Sequence, residues 1–305
     1  VPPAAERVAV VFPGQGSQKA GMARAWRDQP AFSRWAEADE LLGRDVTRLG
    51  LDADEDELRV PVNCQIALFV HFVVQHETWR DAGGRADVTA GHSLGEYAAL
   101  VAAGVVDFTD GLRLVDARAG ATQDAADQRP GTMVACLGYP VDVVTDACAR
   151  VGAHVANDNA PGQLVAAGAA DDLDRLRDAL AATGARGKVV TLQVGAAYHS
   201  PHMEPAVAPF GAALDSAAFA AAKLPVVANV DARAHRDADE WPALLRTQLV
   251  SPVRWRETVG TFGELGVESV VELGPSAVLT GLVKRTDRSM GRRTVVTPDD
   301  LAEVV

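Results

Sequence analysis

Cysteine is scarce in this chain. Cys64, Cys136 and Cys148 are the only three among 305 residues. They are odd in number, sit in apolar surroundings and form no Cys-x-x-Cys pair, so disulfides or a thiolate metal site are set aside and buried, reduced thiols are expected. Long apolar runs are missing as well. No stretch approaches the roughly 20 residues needed to cross a bilayer, and residues 1–12 lack the charged start and small-residue cleavage site of a signal peptide. A cytoplasmic protein without a membrane partner is therefore expected. Basic side chains are in the minority: 29 Lys and Arg stand against 41 Asp and Glu, a formal net charge of −12. That balance disfavours nucleic acid or an anionic membrane as the main partner. The one basic concentration is Lys284, Arg285, Arg288, Arg292 and Arg293, interrupted only by Asp287. It reads either as a solvated helix end or as a patch for an acidic partner.

What is present is enough apolar content for a large core, 48% of residues, or for a main domain carrying a smaller one. Residues 7–12 are a β-branched run ending at Pro13-Gly14, a buried strand followed by a loop. Residues 62–80 and 94–104 read as helices, the second stopped at Gly104, and Asp87 to Ala90 as the strand before it. Thr109 is the expected cap of a helix running to Ala126. From 130 to 195 the rhythm becomes strand, helix, strand, strand, helix, strand, over 132–138, 141–151, 153–157, 163–168, 170–183 and 187–194. This is the order of a ferredoxin-like α+β unit. Further on, helices are expected at 203–218, 240–249, 252–265 and 276–286, and strands at 225–230 and 268–273. The resulting expectation is an α/β protein. Residues 1–128 and 199–305 form a large α/β-hydrolase-like domain with a mostly parallel sheet, and 129–198 an inserted ferredoxin-like subdomain. Only residues 1–5 and the last few read as loose.

The most informative residue is Ser93, in Ala90-Gly-His-Ser-Leu-Gly-Glu96. Between a short strand and an Ala-rich helix, this run reads as a nucleophile elbow: the glycines let backbone approach closely, the hydroxyl is pushed into a cleft, and the Leu94 N–H sits where an oxyanion would form. The chemistry implied is acyl transfer through a serine ester. A free hydroxyl needs a base. His199 is the best candidate of seven histidines because its Ser/Pro-bounded loop closes the inserted unit. His92 reads as a structural hydrogen-bonder and His202 as a surface residue. Arg118, taken alone, is an ordinary helix arginine, and Gln65 an unremarkable glutamine.

Taken together, Phe12-Pro-Gly-Gln-Gly-Ser-Gln18, Gln65, the elbow, Arg118 and Ala197-Tyr-His-Ser-Pro-His-Met203 resemble the malonyl-CoA:acyl carrier protein transacylase family, including polyketide synthase acyltransferase domains. The likeness extends to Asn157-Asp-Asn-Ala-Pro-Gly-Gln163, Ser251-Pro-Val-Arg-Trp255 and Glu272-Leu-Gly-Pro275. It implies Ser93 as nucleophile, His199 as base, Gln15 and the Leu94 amide as oxyanion hole, and the Ser251 carbonyl as the group that holds the imidazole. Arg118 would grip a substrate carboxylate, since a site for simple acyl groups would bury that cation unpaired. Gln65 would hold the guanidinium or the acyl group, and Tyr198 and Asn159 would line the substrate cleft. The Tyr198 ring leaves little room for an α-methyl group, while Ala196 opens space.

The reading that follows is malonyl transfer from coenzyme A to the phosphopantetheine arm of an acyl carrier protein. Metal and redox cofactors are not called for, a monomer is expected, and Lys284, Arg285 and Arg288 are candidate contacts for coenzyme or carrier. The alternatives are a trans-acting polyketide acyltransferase using another acyl unit or an acyl-carrier donor, an editing acyl hydrolase, and a non-catalytic docking domain.

Overall fold

The computed structural model describes residues 6–304. Among them ten strands form two sheets: β1 (Val8–Phe12), β2 (Val88–Gly91), β3 (Thr132–Leu137), β4 (His154–Ala160), β5 (Gln163–Gly168), β6 (Lys188–Thr191), β7 (Val226–Val227), β8 (Ala234–His235), β9 (Ser269–Leu273) and β10 (Gly291–Val295). The larger sheet runs β10-β9-β1-β2-β7-β8 and is parallel except for the β7–β8 hairpin at its edge. The smaller, β4-β5-β3-β6, is antiparallel throughout and is built wholly from residues 132–191. This is the α/β fold with an α+β insertion that the strand and helix rhythm predicts.

The helices are α1 (Ser33–Leu42), α2 (Val46–Leu51), α3 (Glu55–Arg59), α4 (Pro61–Asp81), α5 (Gly95–Ala103), α6 (Phe108–Gln128), α7 (Val141–Val151), α8 (Ala170–Ala182), α9 (Glu204–Ser216), α10 (Trp241–Gln248), α11 (Trp255–Glu264) and α12 (Leu279–Thr286). Helix α4 is buried on every side from Cys64 to Gln75; Gln75 donates to the Gly274 and Val295 carbonyls and Gln65 accepts from Arg118, while the ring nitrogens of His71 have no partner among the described residues. Asp107, two residues before the expected Thr109, caps α6 by accepting the Asp110 N–H at 2.8 Å. A carboxylate at that position also favours the positive end of the helix. Helix α5 stops where Gly104 turns left-handed, at φ 71°.

Several expectations need correction. The strand expected at 225–230 is only two residues long, because the chain turns back through Ala232 (φ 57°) to pair as a hairpin. The strand expected at 187–194 ends at Thr191; the Leu192 N–H keeps one further bond to the Met133 carbonyl of β3, at 3.0 Å, before the chain departs. Strand β10 takes in Arg292 and Arg293 of the basic segment, whose charge masks a strand in the sequence, and α1 to α3 carry no strong apolar period. Near the C-terminus, Pro298–Glu303 is a 3-10 helix closed by a capping box between Thr297 and Asp300, so that segment is not loose. Residues 1–5 lie outside the described residues.

Candidate active site

The strands of a parallel sheet present their loops at the carboxyl ends, where α/β proteins bind ligands. Ser93 follows β2 and Gln15 follows β1, so adjacent strands deliver both to one place. The turn is tight. A Cβ on Gly91 would overlap the Gly95 backbone, and one on Gly95 would overlap the Phe12 carbonyl. Ser93 itself adopts φ 53°, a strained conformation for a side chain. Asn229 holds it there: its Oδ1 accepts the Ser93 N–H at 2.7 Å and its Nδ2 donates to the Gly91 carbonyl at 2.6 Å.

The Ser93 Oγ lies 2.7 Å from His199 Nε2. His199 Nδ1 lies 2.8 Å from the Gln248 carbonyl oxygen. A carbonyl only accepts, so Nδ1 carries the proton and Nε2 is free to receive one from the serine. The expected carbonyl of Ser251 is therefore not the main partner. Gln248 ends α10, and its carbonyl, left unsatisfied by the helix, points into the site; Ser251 contributes less. Burial, with help from the Arg118 charge, pushes the His199 pKa down to about 3, so the ring stays neutral well below pH 6.5.

Arg118 is 3% exposed. Its guanidinium donates to Gln65 Oε1, to Ser93 Oγ at 3.1 Å and to Gln248 Oε1 at 3.4 Å, and it lies over the Tyr97 ring. All three acceptors are neutral. A buried cation with only neutral acceptors, touching the nucleophile, favours an anionic ligand.

Gln248 is also a junction. Its Nε2 donates to the Ser93 carbonyl at 3.0 Å and to Glu96 Oε2 at 2.6 Å, and Glu96 Oε1 accepts the Asn229 N–H at 2.7 Å. Burial raises the Glu96 pKa to about 8. None of Gln248, Asn229 and Glu96 was singled out from sequence. Glu96 stands within the elbow run, but nothing in its spacing says that it turns inward.

A cavity of about 110 Å³ joins these groups. Its walls include Ser93, Leu94, Arg118, His199, Gln15 and Tyr198 from the larger unit and the chain entering it. Met133, Leu192, Val194 and Asn157 complete it from the inserted unit. Asn159 is not among them. Its Oδ1 is 2.8 Å from His92 Nε2, so it orients the histidine beside the nucleophile while Asn157, across a bulge in β4, reaches the cavity. Lys284, Arg285 and Arg288 are exposed and apart from it. Helix α12 runs back from the carboxyl ends of the strands, and Arg288 precedes the start of β10, paired with the start of β9 at Ser269. That is near the amino ends of the strands, whereas Ser93 stands at their carboxyl ends. A larger open depression beside Arg233 and Arg254 holds no nucleophile and base pair. The three cysteines are buried and free. Among the described residues no cluster of three His, Cys, Asp or Glu could hold a metal, and no helix is long and apolar enough to cross a membrane.

A glycine-clamped serine at the end of a parallel sheet, closed over by a second, antiparallel sheet, is the architecture of an acyl-transfer enzyme. The chain belongs to the acyl transferase domain family, whose model matches residues 9–302. It is 35% identical to the malonyl CoA-acyl carrier protein transacylase of Bacillus subtilis over 302 residues, covering 97% of this chain and 95% of that one. To the enzyme of the same name from Escherichia coli K12 it is 39% identical over 284 residues, 91% and 92% of the two chains. Its fold superposes with a TM-score of 0.94, at 36% identity over 98% of this chain and 99% of the other, on a malonyl-transacylase solved with a type II polyketide synthase acyl-carrier protein.

Proposed function

We propose that this protein takes a malonyl group from coenzyme A onto Ser93 and passes it to the phosphopantetheine thiol of an acyl carrier protein. One observation carries the substrate assignment: Arg118, buried and bonded only to neutral acceptors, touches the nucleophile's oxygen. A thioester ending in a carboxylate would supply the missing anion. The names of the relatives support the same substrate and partner.

In the first half-reaction Ser93 Oγ attacks the thioester carbonyl as its proton passes to His199 Nε2. The imidazolium formed keeps its Nδ1–H on the Gln248 carbonyl. The Leu94 amide, with Gln15, meets the oxyanion, each such donor being worth about 3–4 kcal/mol. The tetrahedral centre then expels the coenzyme thiolate, which takes the proton from His199. The second half is the reverse: the carrier thiol gives its proton to His199, its sulfur attacks the ester carbonyl, and Ser93 Oγ leaves and is reprotonated. Holding the imidazole with a carbonyl instead of a carboxylate keeps negative charge away from the malonyl group. The small cavity limits water at the ester. Coenzyme A is a substrate here and phosphopantetheine belongs to the partner, so no cofactor of the protein's own takes part. The two units, 129–198 and the remainder, form the cleft, and the enzyme works as a cytoplasmic monomer.

Intact-mass measurement tests this. Incubation with malonyl-CoA adds one malonyl group to the protein and none to Ser93→Ala, and an acyl carrier protein removes it as malonyl-carrier. No adduct, or discharge as free malonate, overturns the proposal, the second outcome in favour of a hydrolase.

A further inference from the structure

Two neighbouring backbone donors stand at the elbow, and only one of them is left free. The Ser93 N–H donates to Asn229 Oδ1 at 2.7 Å, whereas the Leu94 N–H meets no acceptor among the described residues. Which donor faces an oxyanion depends on how the peptide planes around Ser93 are turned, and at φ 53° that residue would relax if it were released. Something must hold it.

Three side chains fix those planes. Asn229 spans the turn, because besides taking the Ser93 N–H it donates from Nδ2 to the Gly91 carbonyl at 2.6 Å. Gln248 Nε2 donates to the Ser93 carbonyl at 3.0 Å. A trans peptide is planar, with C=O and N–H pointing opposite ways, so a Ser93 carbonyl held on the Gln248 side turns the Leu94 N–H away from Gln248. Leu94 lines the cavity and Gln248 does not. Glu96 seats both amides: its Oε1 accepts the Asn229 N–H at 2.7 Å and its Oε2 accepts from Gln248 Nε2 at 2.6 Å. The Asn229 carbonyl accepts the Arg254 N–H at 3.0 Å, so its main chain is tied on both sides. Asn229, Glu96 and Gln248 are buried, and none of them lines the cavity.

We propose that Asn229 is a positioning residue for acyl transfer: seated on Glu96 and acting with Gln248, it takes the Ser93 N–H out of use and turns the Leu94 N–H to the oxyanion. The inference rests on the transacylase reading and adds to it a residue that touches no substrate. Its effect falls on the barrier and not on binding, since the carboxylate is gripped by Arg118, to which Asn229 makes no bond.

The test is single-turnover loading of Ser93, quenched for intact mass, in Asn229→Ala and Asn229→Asp, with thermal unfolding to confirm that both are folded at the assay temperature. Asn229→Ala is expected to lower the maximal rate of malonyl loading about 100-fold, the size of one lost oxyanion donor, with the half-saturating malonyl-CoA concentration unchanged. A fluorophosphonate probe, which Ser93 attacks at phosphorus with loss of fluoride and which carries no carboxylate for Arg118, is expected to label Asn229→Ala more slowly by a similar factor. Asn229→Asp is expected to regain rate as the pH falls from 7 to 5, because a protonated carboxyl again offers a donor to the Gly91 carbonyl and an acceptor to the Ser93 N–H; a rate that falls over that range overturns the proposal. A maximal rate close to that of the unaltered protein in folded Asn229→Ala overturns it too, and so does a loss carried by the half-saturating concentration, which would make Asn229 a binding residue. If the unaltered protein takes the fluorophosphonate on Ser93 but no malonyl, the transacylase reading fails, and the probe's labelling rates still decide the positioning role.

Discussion

His199 Nδ1 and the Gln248 carbonyl oxygen lie 2.8 Å apart, and this contact puts a main-chain group where a serine-histidine pair more often has a carboxylate. The carbonyl fixes the tautomer but cannot stabilise a charged ring as a carboxylate would. Burial, reinforced by Arg118, therefore dominates and holds the ring neutral.

A pH profile follows. The folded pKa of His199, about 3, lies below the ordinary value of 6.5, so the stability it contributes is complete above pH 6.5 and is lost as pH falls towards 3. The base stays competent over the same range. The kcat/KM for malonyl loading, followed by quenched intact mass, is expected to remain level from pH 7 to 5. A drop centred near pH 6.5 would contradict the burial argument.

Arg118→Ala is expected to lower kcat/KM for malonyl loading by about 100-fold, the size of one strong charged hydrogen bond at about 3 kcal/mol. Acetyl-CoA loading is expected to be no slower than in the unaltered protein. Arg118→Lys should not restore malonyl loading, because a single ammonium cannot span Gln65, Ser93 and a carboxylate at once. Parallel loading assays with the two thioesters check this.

Glu96→Gln is expected to disturb the nucleophile without touching substrate. A glutamine amide nitrogen at 96 would face the Gln248 amide nitrogen, now 2.6 Å from the Glu96 oxygen. Relief requires Gln248 to turn over, which takes a donor from the Ser93 carbonyl and aims N–H at Arg118. A loss of about tenfold in the loading rate is expected, the size of one buried hydrogen bond at about 1.4 kcal/mol. Because the folded pKa of Glu96 is raised to about 8, its contribution to stability is full below about pH 4.5 and disappears as pH rises through 8. Thermal unfolding from pH 5 to 8 should show a shallower decline in the Gln variant.

Gly91→Ala forces a methyl group into the Gly95 backbone. Overpacking against main chain, which cannot rotate away, should cost about 3 kcal/mol or more. Denaturant unfolding measures it.

Much of this arrangement was legible in the sequence, for physical reasons. Glycines at 91 and 95 mark a turn that admits nothing larger, and the alternation of short strands with amphipathic helices between 132 and 191 has only a few ways to pack. Arg118, His199 and Ser93 could be grouped through the family resemblance, and the structure places all three on one cavity. The supporting contacts were hidden. Gln248 acts through a helix-end carbonyl and Asn229 through the exit of a two-residue strand, and neither role depends on a pattern of neighbouring residue types. Asn159 was misjudged against Asn157 because bulges in β4 break the simple alternation. The basic 284–293 segment gave its charge away but not its position, which depends on β10 pairing beside β9.

The nucleophile, the base and the arginine sit on segments outside residues 132–191, whereas Met133 and Asn157 on the cavity wall belong to the insertion. Reaction chemistry and part of the wall that shapes the cavity are thus written in different stretches of polypeptide, so drift in the insertion alters what the cavity admits while leaving bond making and breaking intact.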